Sequence, residues 1–308
     1  MSRKRLRTVA QALILVLILI FWARALRANW ESFTTFLWQF HWLPILLALL
    51  VRFVQMILNA TIWWRALALA DASIPYRAGL SLYLTTQIAR YLPGGVWDIV
   101  GRFALGKEAG VGNRSMAASI GLEMGLQILS GSIFLLFALV LRQKMDATRY
   151  LWIGLLTAIA ALLTLTPPVF TFITNTGLRL LKKPPLNMHL TYGNMLVLFL
   201  ARLLSHSLVG LGYYLFILGL SAGQSRTAPL IITSYVGSWL IGYLAILVPM
   251  GIGIREGMLA FLLDGTLPFA LITASAIGYR TLIAIRDMMA ALFGLWLRPS
   301  PPLDSTAP

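Results

Sequence analysis

The sequence predicts an all-α polytopic membrane protein, and three observations support this fold class. Of the 308 residues, 59% are hydrophobic, and the mean hydropathy is +0.81. Only 11% are Asp, Glu, Lys or Arg, whereas soluble domains carry about 25%. The apolar residues are also grouped into runs of roughly 20, the length that a helix needs to cross a bilayer. A soluble domain is therefore excluded.

Apolar runs of spanning length predict the transmembrane helices in order. They lie at 9–27, 43–66, 115–141, 150–174, 194–220, 228–249 and 267–297. Two further runs are interrupted, 78–105 by Pro93-Gly94-Gly95 and 248–264 by Pro249, Gly251 and Gly253. Irregular backbone at membrane depth is tolerated where it is buried in protein or lines a wet cavity. We predict about seven or eight transmembrane helices and two broken segments. The broken segments are re-entrant or discontinuous in one interpretation and ordinary interhelical loops in the other.

The chain reads as one transmembrane domain, residues 1–298, followed by a disordered, proline-rich tail at 299–308. Arg3, Lys4 and Arg5 precede the first run, so we expect the N-terminus to lie in the cytoplasm. The membrane is expected to be the bacterial cytoplasmic (inner) membrane. Arg142, Lys144 and Arg149 would then lie outside, so the topology after residue 110 stays open. The net charge of +15 fits basic loops at anionic lipid headgroups, and no nucleic-acid partner is expected.

The residue types present exclude several kinds of site. The chain has no cysteine and only three histidines, at 41, 189 and 206, so thiolate or histidine metal sites are not expected. No metalloprotease, serine-hydrolase or nucleotide-binding motif is present either. We therefore expect no cofactor and no enzymatic activity, although an unusual intramembrane transferase stays open as a hypothesis.

A weak internal echo predicts a pseudo-repeat. Pro93 is followed 25 positions later by Ala118-Ser119-Ile120 and then by Glu123. Pro249 is followed 25 positions later by Ala274-Ser275-Ala276 and then by Arg280. Each half thus contains a Pro/Gly break and a later span with a charged residue.

Charged side chains inside spans are costly and indicate function by default. The candidates are Arg52, Arg202, Arg255, Arg280 and Arg286 against Glu123, Glu256 and Asp287. Pairing between helices is one interpretation, with Glu123 joined to Arg280 or Arg202. Such polar contacts contribute about 0.6 kcal/mol on average, so we favour a polar cavity. Because arginine outnumbers the acids and its planar fork suits phosphate, the cavity predicts an anionic headgroup.

Two motifs resemble those of the lysylphosphatidylglycerol synthase/flippase transmembrane family, which includes the membrane part of MprF-type proteins. The first is Arg90-Tyr91-Leu92-Pro93-Gly94-Gly95-Val96-Trp97 with Gly101-Arg102, and the second is Pro249-Met250-Gly251-Ile252-Gly253-Ile254-Arg255-Glu256-Gly257. Glu123 and the Tyr279-Arg280 pair are similar to further family positions. The chain departs from the pattern at Met124, at Gln127, which takes a position that is acidic in the family, and at Met250 in the second break.

The resemblance implies a flippase-like lipid translocase over residues 10 to 297. The substrate would be a phospholipid or a lipid-linked phosphate headgroup. Relatives that make aminoacylated lipid carry a large soluble domain that is absent here, so no synthase activity is expected. The alternative is a non-catalytic membrane scaffold for a glycosyltransferase or lipid-synthase partner. The predicted substrate-binding residues are Arg90, Pro93, Gly94, Arg102, Glu123, Gln127, Arg202, Pro249, Gly251, Gly253, Arg255, Glu256, Tyr279 and Arg280.

Overall fold

The apolar runs form helices in the computed structural model of the chain. The structure describes residues 39–91, 96–142, 166–180, 182–221, 228–245, 251 and 253–298, and the single positions 27, 34, 152, 156, 159 and 163. The helices of the described ranges are α1 Trp42–Leu69, α2 Tyr76–Thr86, a 3₁₀ helix Gln87–Tyr91, α3 Trp97–Glu108, α4 Asn113–Leu141, α5 Pro167–Leu180, α6 Tyr192–Leu220, α7 Ala228–Leu244, α8 Ile254–Leu263 and α9 Phe269–Trp296.

Four of these helices, α1, α4, α6 and α9, are long and apolar enough to cross a membrane, counting only the described residues. Each has 28 or 29 residues, or about 42 Å at about 1.5 Å per residue, against a hydrocarbon core of about 30 Å. They coincide with four of the predicted runs, at 43–66, 115–141, 194–220 and 267–297. The protein is therefore an all-α, multi-pass integral membrane protein.

The predicted run 228–249 is too long. Helix α7 ends at Leu244 after 17 residues. Gly251 lies against the last turns of α7, because a Cβ on Gly251 would lie 2.6 Å from Cα of Gly242. The run 9–27, most of the run 150–174, the tail 299–308, and Pro93, Gly94 and Pro249 lie outside the described residues.

The two broken segments each contain a short helix. Helix α3 has 12 residues and α8 has 10, so they extend about 18 Å and about 15 Å. Neither crosses a hydrocarbon core of about 30 Å by itself. Each is followed by a turn with a glycine at positive φ, Gly110 at 79° and Gly265 at 69°, and then by a long helix that it contacts. Both segments thus form a helical hairpin with the next span.

Helices α1–α4 and α6–α9 form two repeats with the same plan: a long helix, a shorter helix, a short helix after the break, and a second long helix. The contacts between the two repeats come in exchanged pairs, in which each helix is replaced by its counterpart. Helix α1 packs against α6, its own counterpart, while α2 packs on α9 and α7 packs on α4. The α1–α4 contact is matched by α6–α9, and α1–α9 by α6–α4. This exchange indicates a pseudo-two-fold axis between α1 and α6, in agreement with the predicted pseudo-repeat.

Candidate functional site

The first repeat holds a buried carboxylate, Glu123 of α4. Its Oε2 accepts a hydrogen bond from Nη1 of Arg102 on α3 at 2.5 Å, and its Oε1 accepts one from the Tyr83 hydroxyl of α2 at 3.0 Å. Nη2 of Arg202 on α6 lies 3.5 Å from the same Oε1, and Gln127 Nε2 donates to it at 3.4 Å. We call these five residues the α3–α4 cluster. It brings together four of the predicted site residues from three helices.

The α3–α4 cluster is closed to solvent. Glu123 is 2% exposed, Arg102 is 5% exposed and Arg202 is 1% exposed. The Arg102 guanidinium also lies over the Tyr83 ring, 4.4 Å from its centroid. Two arginines and a tyrosine hydroxyl therefore fully surround one carboxylate.

A chain of hydrogen bonds crosses between α1 and α6. Arg202 Nη1 and the Ser205 hydroxyl both donate to Oδ1 of Asn59, at 2.8 and 2.7 Å. Gln55 Nε2 donates to the Ser205 hydroxyl at 2.8 Å, and Arg52 Nη1 donates to Gln55 Oε1 at 2.7 Å. Polar side chains of α1 are thus joined to the buried face of α6, and they link Arg52 to the α3–α4 cluster.

The second repeat holds the equivalent group, but its charges are reversed. Arg280 of α9 is ion-paired with Oε1 of Glu256, on the short helix α8. Nη2 of Arg255 donates to the Tyr235 hydroxyl of α7, and the Arg255 guanidinium lies 4.5 Å from the Tyr235 ring centroid. Arg52 of α1 lies beside Tyr279, whose ring packs against Tyr235. We call Arg52, Tyr235, Arg255, Glu256 and Arg280 the α8–α9 cluster.

Gly251 and Gly253 position the charged residues of α8. Gly251 has φ +61°, and its backbone contacts Gly242 of α7 so closely that no Cβ fits. Gly253 has φ +85° and precedes the first residue of α8. Its N–H donates to Oε2 of Glu256 at 2.6 Å, so the same carboxylate caps α8 and pairs with Arg280. Gly251 and Gly253 therefore adopt backbone conformations that favour glycine, and a charged first helical turn follows them.

Tyr279 belongs to an aromatic wall beside the α8–α9 cluster. Its ring packs against Tyr235 and Tyr213, with centroids 5.1 and 5.3 Å apart. A Cβ on Gly212 would lie 2.5 Å from the Tyr279 hydroxyl and 2.8 Å from Cδ of Arg52. Tyr279 thus packs beside the Arg52 side chain.

Arg90 lies in a third group, around Asp287 of α9. Tyr91 donates to Oδ2 of Asp287 at 2.8 Å, Arg90 lies 3.8 Å from the same atom, and Arg286 pairs with Oδ1. The buried carboxylate is 0% exposed. This group fastens the 3₁₀ helix, just before the first Pro/Gly break, to α9.

Cations exceed anions across the three groups. Seven arginines, at 52, 90, 102, 202, 255, 280 and 286, face three acids, Glu123, Glu256 and Asp287. With Asp98 of α3 counted as a fourth acid, the excess is still three positive charges. Among the buried nitrogens without a hydrogen-bond partner is Nε of Arg52. The described interior of the membrane domain is thus strongly cationic.

Residues that the sequence analysis did not select complete these groups. Tyr83 and Tyr235 supply hydroxyls to the two clusters, and Ser205 joins Asn59 to Gln55. A tyrosine in an apolar run is also typical of the interfacial aromatic belt, so the sequence did not distinguish these two tyrosines from belt residues. Their equal position, seven residues after the first residue of α2 and of α7, is the signal that could have found them.

An apolar groove of about 580 Å³ lies on the membrane-facing side of α1, α6 and α9. Its walls include Ile45, Leu49, Phe216, Leu282 and Ile285. The lining residues Gly278, Thr281 and Ile285 alternate along α9 with Tyr279, Arg280 and Arg286 of the cationic interior. The groove and the cationic groups therefore share one helix.

Comparison with known proteins agrees with the motifs. The family model for the lysylphosphatidylglycerol synthase TM region matches residues 9–287. A search of curated proteins finds no match.

Proposed function

The chain belongs to the lysylphosphatidylglycerol synthase TM region family, and we propose that it is a translocase that moves a phosphate-bearing lipid across the membrane. The family indicates a lipid-related membrane function. We also propose that the protein lies in a bacterial inner membrane with its N-terminus in the cytoplasm. In this proposal the protein moves the lipid without making or breaking a covalent bond.

The observation that carries the proposal is the excess of arginine inside a membrane domain. A charge at the centre of a spanning helix costs about 2.5–3.5 kcal/mol on insertion scales. Pairing offsets this cost for Glu123, Glu256 and Asp287, but more arginines are present than acids can neutralise. An anionic headgroup that enters the interior would supply the missing charge, and the arginine fork suits phosphate in particular.

The apolar groove supports a lipid as the source of that phosphate. Its lining is almost entirely aliphatic and aromatic, with Thr281 as its one polar residue. Such walls suit an acyl chain, and α9 supplies residues both to this groove and to the cationic interior. Apolar walls with a few convergent polar groups are typical of small-molecule sites.

The two repeats support movement rather than static binding. In many transporters, repeats related by a pseudo-two-fold axis place interrupted segments at the substrate site, and one repeat moves against the other. Here each repeat has one break followed by a short helix, and an ion pair joins that helix to the next span. Arg102–Glu123 joins α3 to α4, and Glu256–Arg280 joins α8 to α9.

The test is movement of fluorescent lipids in liposomes that contain the purified protein, measured with a membrane-impermeant quencher. Two probes with the same acyl chains, phosphatidylglycerol and phosphatidylcholine, compare an anionic with a zwitterionic phosphate headgroup. The proposal predicts protein-dependent quenching of the inner-leaflet phosphatidylglycerol above that of protein-free liposomes. If the folded protein moves no phosphate-bearing lipid, translocation is refuted. A stable glycosyltransferase or synthase partner that co-purifies with it would then favour the scaffold function.

A further inference from the structure

The apolar groove has a counterpart in the other repeat. Arg52 of α1 and Arg202 of α6 both lie ten residues after the first residue of their helix. Glu123 of α4 and Tyr279 of α9 share the same position in their helices. Equal positions from the first residue therefore match α1 with α6 and α4 with α9. Three groove residues of α9 then correspond to buried leucines of α4: Gly278 to Leu122, Leu282 to Leu126 and Ile285 to Leu129.

Groove residues of the other two helices have buried counterparts as well. Ile45 of α1 corresponds to Met195 of α6, because each lies three residues after the first residue of its helix. Phe216 of α6 corresponds in the same way to Ala66 of α1. Met195 and Ala66 belong to the same apolar cluster as the three leucines of α4. The counterpart groove is therefore formed by α6, α1 and α4 in place of α1, α6 and α9.

The chain that precedes α6 fills the counterpart groove. Phe170 of α5 is buried in the apolar cluster that contains the three leucines of α4. Leu186, between α5 and α6, forms a second buried cluster with Ala70 and Ala118. Helix α5 and residues 182–190 thus cover this groove with protein.

The groove between α1, α6 and α9 is open in the part of the chain that the structure describes. Ile285 of α9 is 49% exposed, whereas its counterpart Leu129 is 2% exposed. Phe40, at the edge of the groove, is also exposed, while Leu190, in the same position before α6, packs against the cluster around Leu129. An empty space of about 580 Å³ would forfeit the dispersion contacts of its walls. The groove therefore needs an occupant in the bilayer.

The chain enters α1 along the same path as it enters α6. The N–H of Gln39, three residues before α1, donates to the carbonyl of Leu220, the last residue of α6, at 3.2 Å. The N–H of His189, three residues before α6, donates to the carbonyl of Leu69, the last residue of α1, at 3.0 Å. The chain before α1 therefore reaches the groove from the same place as the chain before α6 reaches the counterpart groove.

We propose that residues 20–38, which we call the N-terminal segment, cover the apolar groove in the way that α5 and residues 182–190 cover its counterpart. The sequence places apolar residues at the matching positions. Ile20 and Phe170 each lie 22 residues before the first residue of the next long helix, and Phe36 and Leu186 each lie six residues before it.

This contact does not depend on the proposed function, but it has one consequence that does. The N-terminal segment and the acyl chain of a translocated lipid would use the same groove. They occupy it in turn, so the lipid enters only when the N-terminal segment has left. The segment thereby controls access from the bilayer to the interior of the protein.

Disulfide cross-linking in liposomes tests the contact, because the chain has no cysteine of its own. The first test variant combines Phe36→Cys with Ala274→Cys, and the second combines Ile20→Cys with Leu282→Cys. Ala274 and Leu282 both line the groove. Mass spectrometry of the oxidised, maleimide-treated protein counts the remaining thiols and detects disulfides between chains. Circular dichroism verifies that each variant is folded.

Matched controls come from the other repeat and from outside the groove. Leu186→Cys with Ala118→Cys is the positive control, because these two residues are the counterparts of the first test pair and belong to one described cluster. Phe36→Cys with Ile277→Cys is the negative control, because Ile277 is an exposed residue of α9 outside the groove.

We expect both test variants to form an intramolecular disulfide, with at least half the yield of the positive control and at least ten times that of the negative control. If neither test variant forms it while the positive control does, the N-terminal segment does not cover the groove and the proposal is overturned. Disulfides between two chains would assign the groove to a second copy of the protein and would overturn it as well.

The cross-linked protein tests the consequence for lipid separately. Native mass spectrometry counts the phosphatidylglycerol that the first test variant retains before and after the disulfide is reduced. Retention should be at least tenfold lower while the disulfide is intact, and reduction should restore it. Equal retention in both states would show that the segment and the lipid do not share the groove. A protein that forms the disulfide but moves no lipid in either state would support the contact and refute translocation.

Discussion

Arg280 of α9 is ion-paired with Glu256 of α8, and this pair reverses the charges of the Arg102–Glu123 pair that joins α3 to α4. Both pairs hold a short helix against the following span. The acid lies on the long helix in the first repeat and on the short helix in the second. The α8–α9 cluster thus has three arginines, Arg52, Arg255 and Arg280, and one acid, Glu256.

The Glu256–Arg280 pair should be a major contributor to stability. Removing one partner of a buried ion pair costs about 3–5 kcal/mol, and the partial exposure of Arg280 places this pair at the lower end. We expect Glu256→Ala to lower the melting temperature in detergent, because it leaves Arg280 unpaired and the N–H of Gly253 uncapped. The double variant Glu256→Ala with Arg280→Ala should recover part of the loss. Equal melting temperatures for Glu256→Ala and wild type would show that the pair is not stabilising.

Gly251 should be intolerant of any side chain. Its positive φ and its contact with Gly242 mean that Gly251→Ala forces α7 and the chain before α8 apart. Left-handed backbone at a non-glycine residue and a steric overlap each cost on the order of 1–3 kcal/mol. Gly257→Ala is the matched control, because Gly257 lies within α8 and an added Cβ there meets nothing within 4 Å. We expect thermal melting to separate them, with Gly251→Ala less stable and Gly257→Ala at least as stable as wild type.

Asn59 should hold α1 to α6 across the pseudo-two-fold axis. It accepts hydrogen bonds from both Arg202 and Ser205, so Asn59→Ala removes the acceptor of Nη1 of the buried Arg202. The expected loss in the free energy of unfolding is about 1–3 kcal/mol. Ser207→Ala on α6 removes a hydroxyl that bonds only to the backbone of its own helix, to Leu203, and should change stability little. A melting temperature for Asn59→Ala equal to that of Ser207→Ala would contradict this role.

The apolar groove should set how well acyl chains are held. Ala274→Phe fills part of the groove, while Ile277→Phe places a phenylalanine at a residue of α9 that is 59% exposed and outside the groove. We expect Ala274→Phe to weaken retention of phosphatidylglycerol several-fold. Binding of inorganic phosphate should be unchanged, because the cationic residues are untouched. If native mass spectrometry shows equal lipid retention by both variants, the groove does not contribute to lipid binding.

The sequence predicted the membrane fold and four of the spans because apolar runs of spanning length are an unambiguous signal. It also predicted the buried charges, but not all of their partners. Arg280 and Asp287 share a face of α9, yet seven residues of helix separate them by about 10.5 Å, too far for an ion pair. Their actual partners come from α8 and from the 3₁₀ helix. Which helices meet depends on the exchange of contacts between the repeats, and a single hydropathy pattern does not encode it.

Glu123 is another residue for which the sequence predicted only some of the partners. The sequence offered Arg202 or Arg280 as its partner, and the structure provides Arg202 together with Arg102. Arg102 lies on a helix that follows the first break, and its direction is set by the turn that brings α3 back against α4. Hydropathy carries no information about that turn.

The central claim is that a phosphate-bearing lipid crosses the membrane through a path that includes Arg280. The most direct measurement is the initial rate at which fluorescent phosphatidylglycerol becomes accessible to an impermeant quencher in liposomes with wild type, Arg280→Ala or Arg65→Ala. All three proteins are reconstituted at equal density, and circular dichroism establishes that they are folded. The account predicts rapid movement with wild type and Arg65→Ala and a rate at the protein-free level with Arg280→Ala. Equal rates for Arg280→Ala and wild type would contradict it.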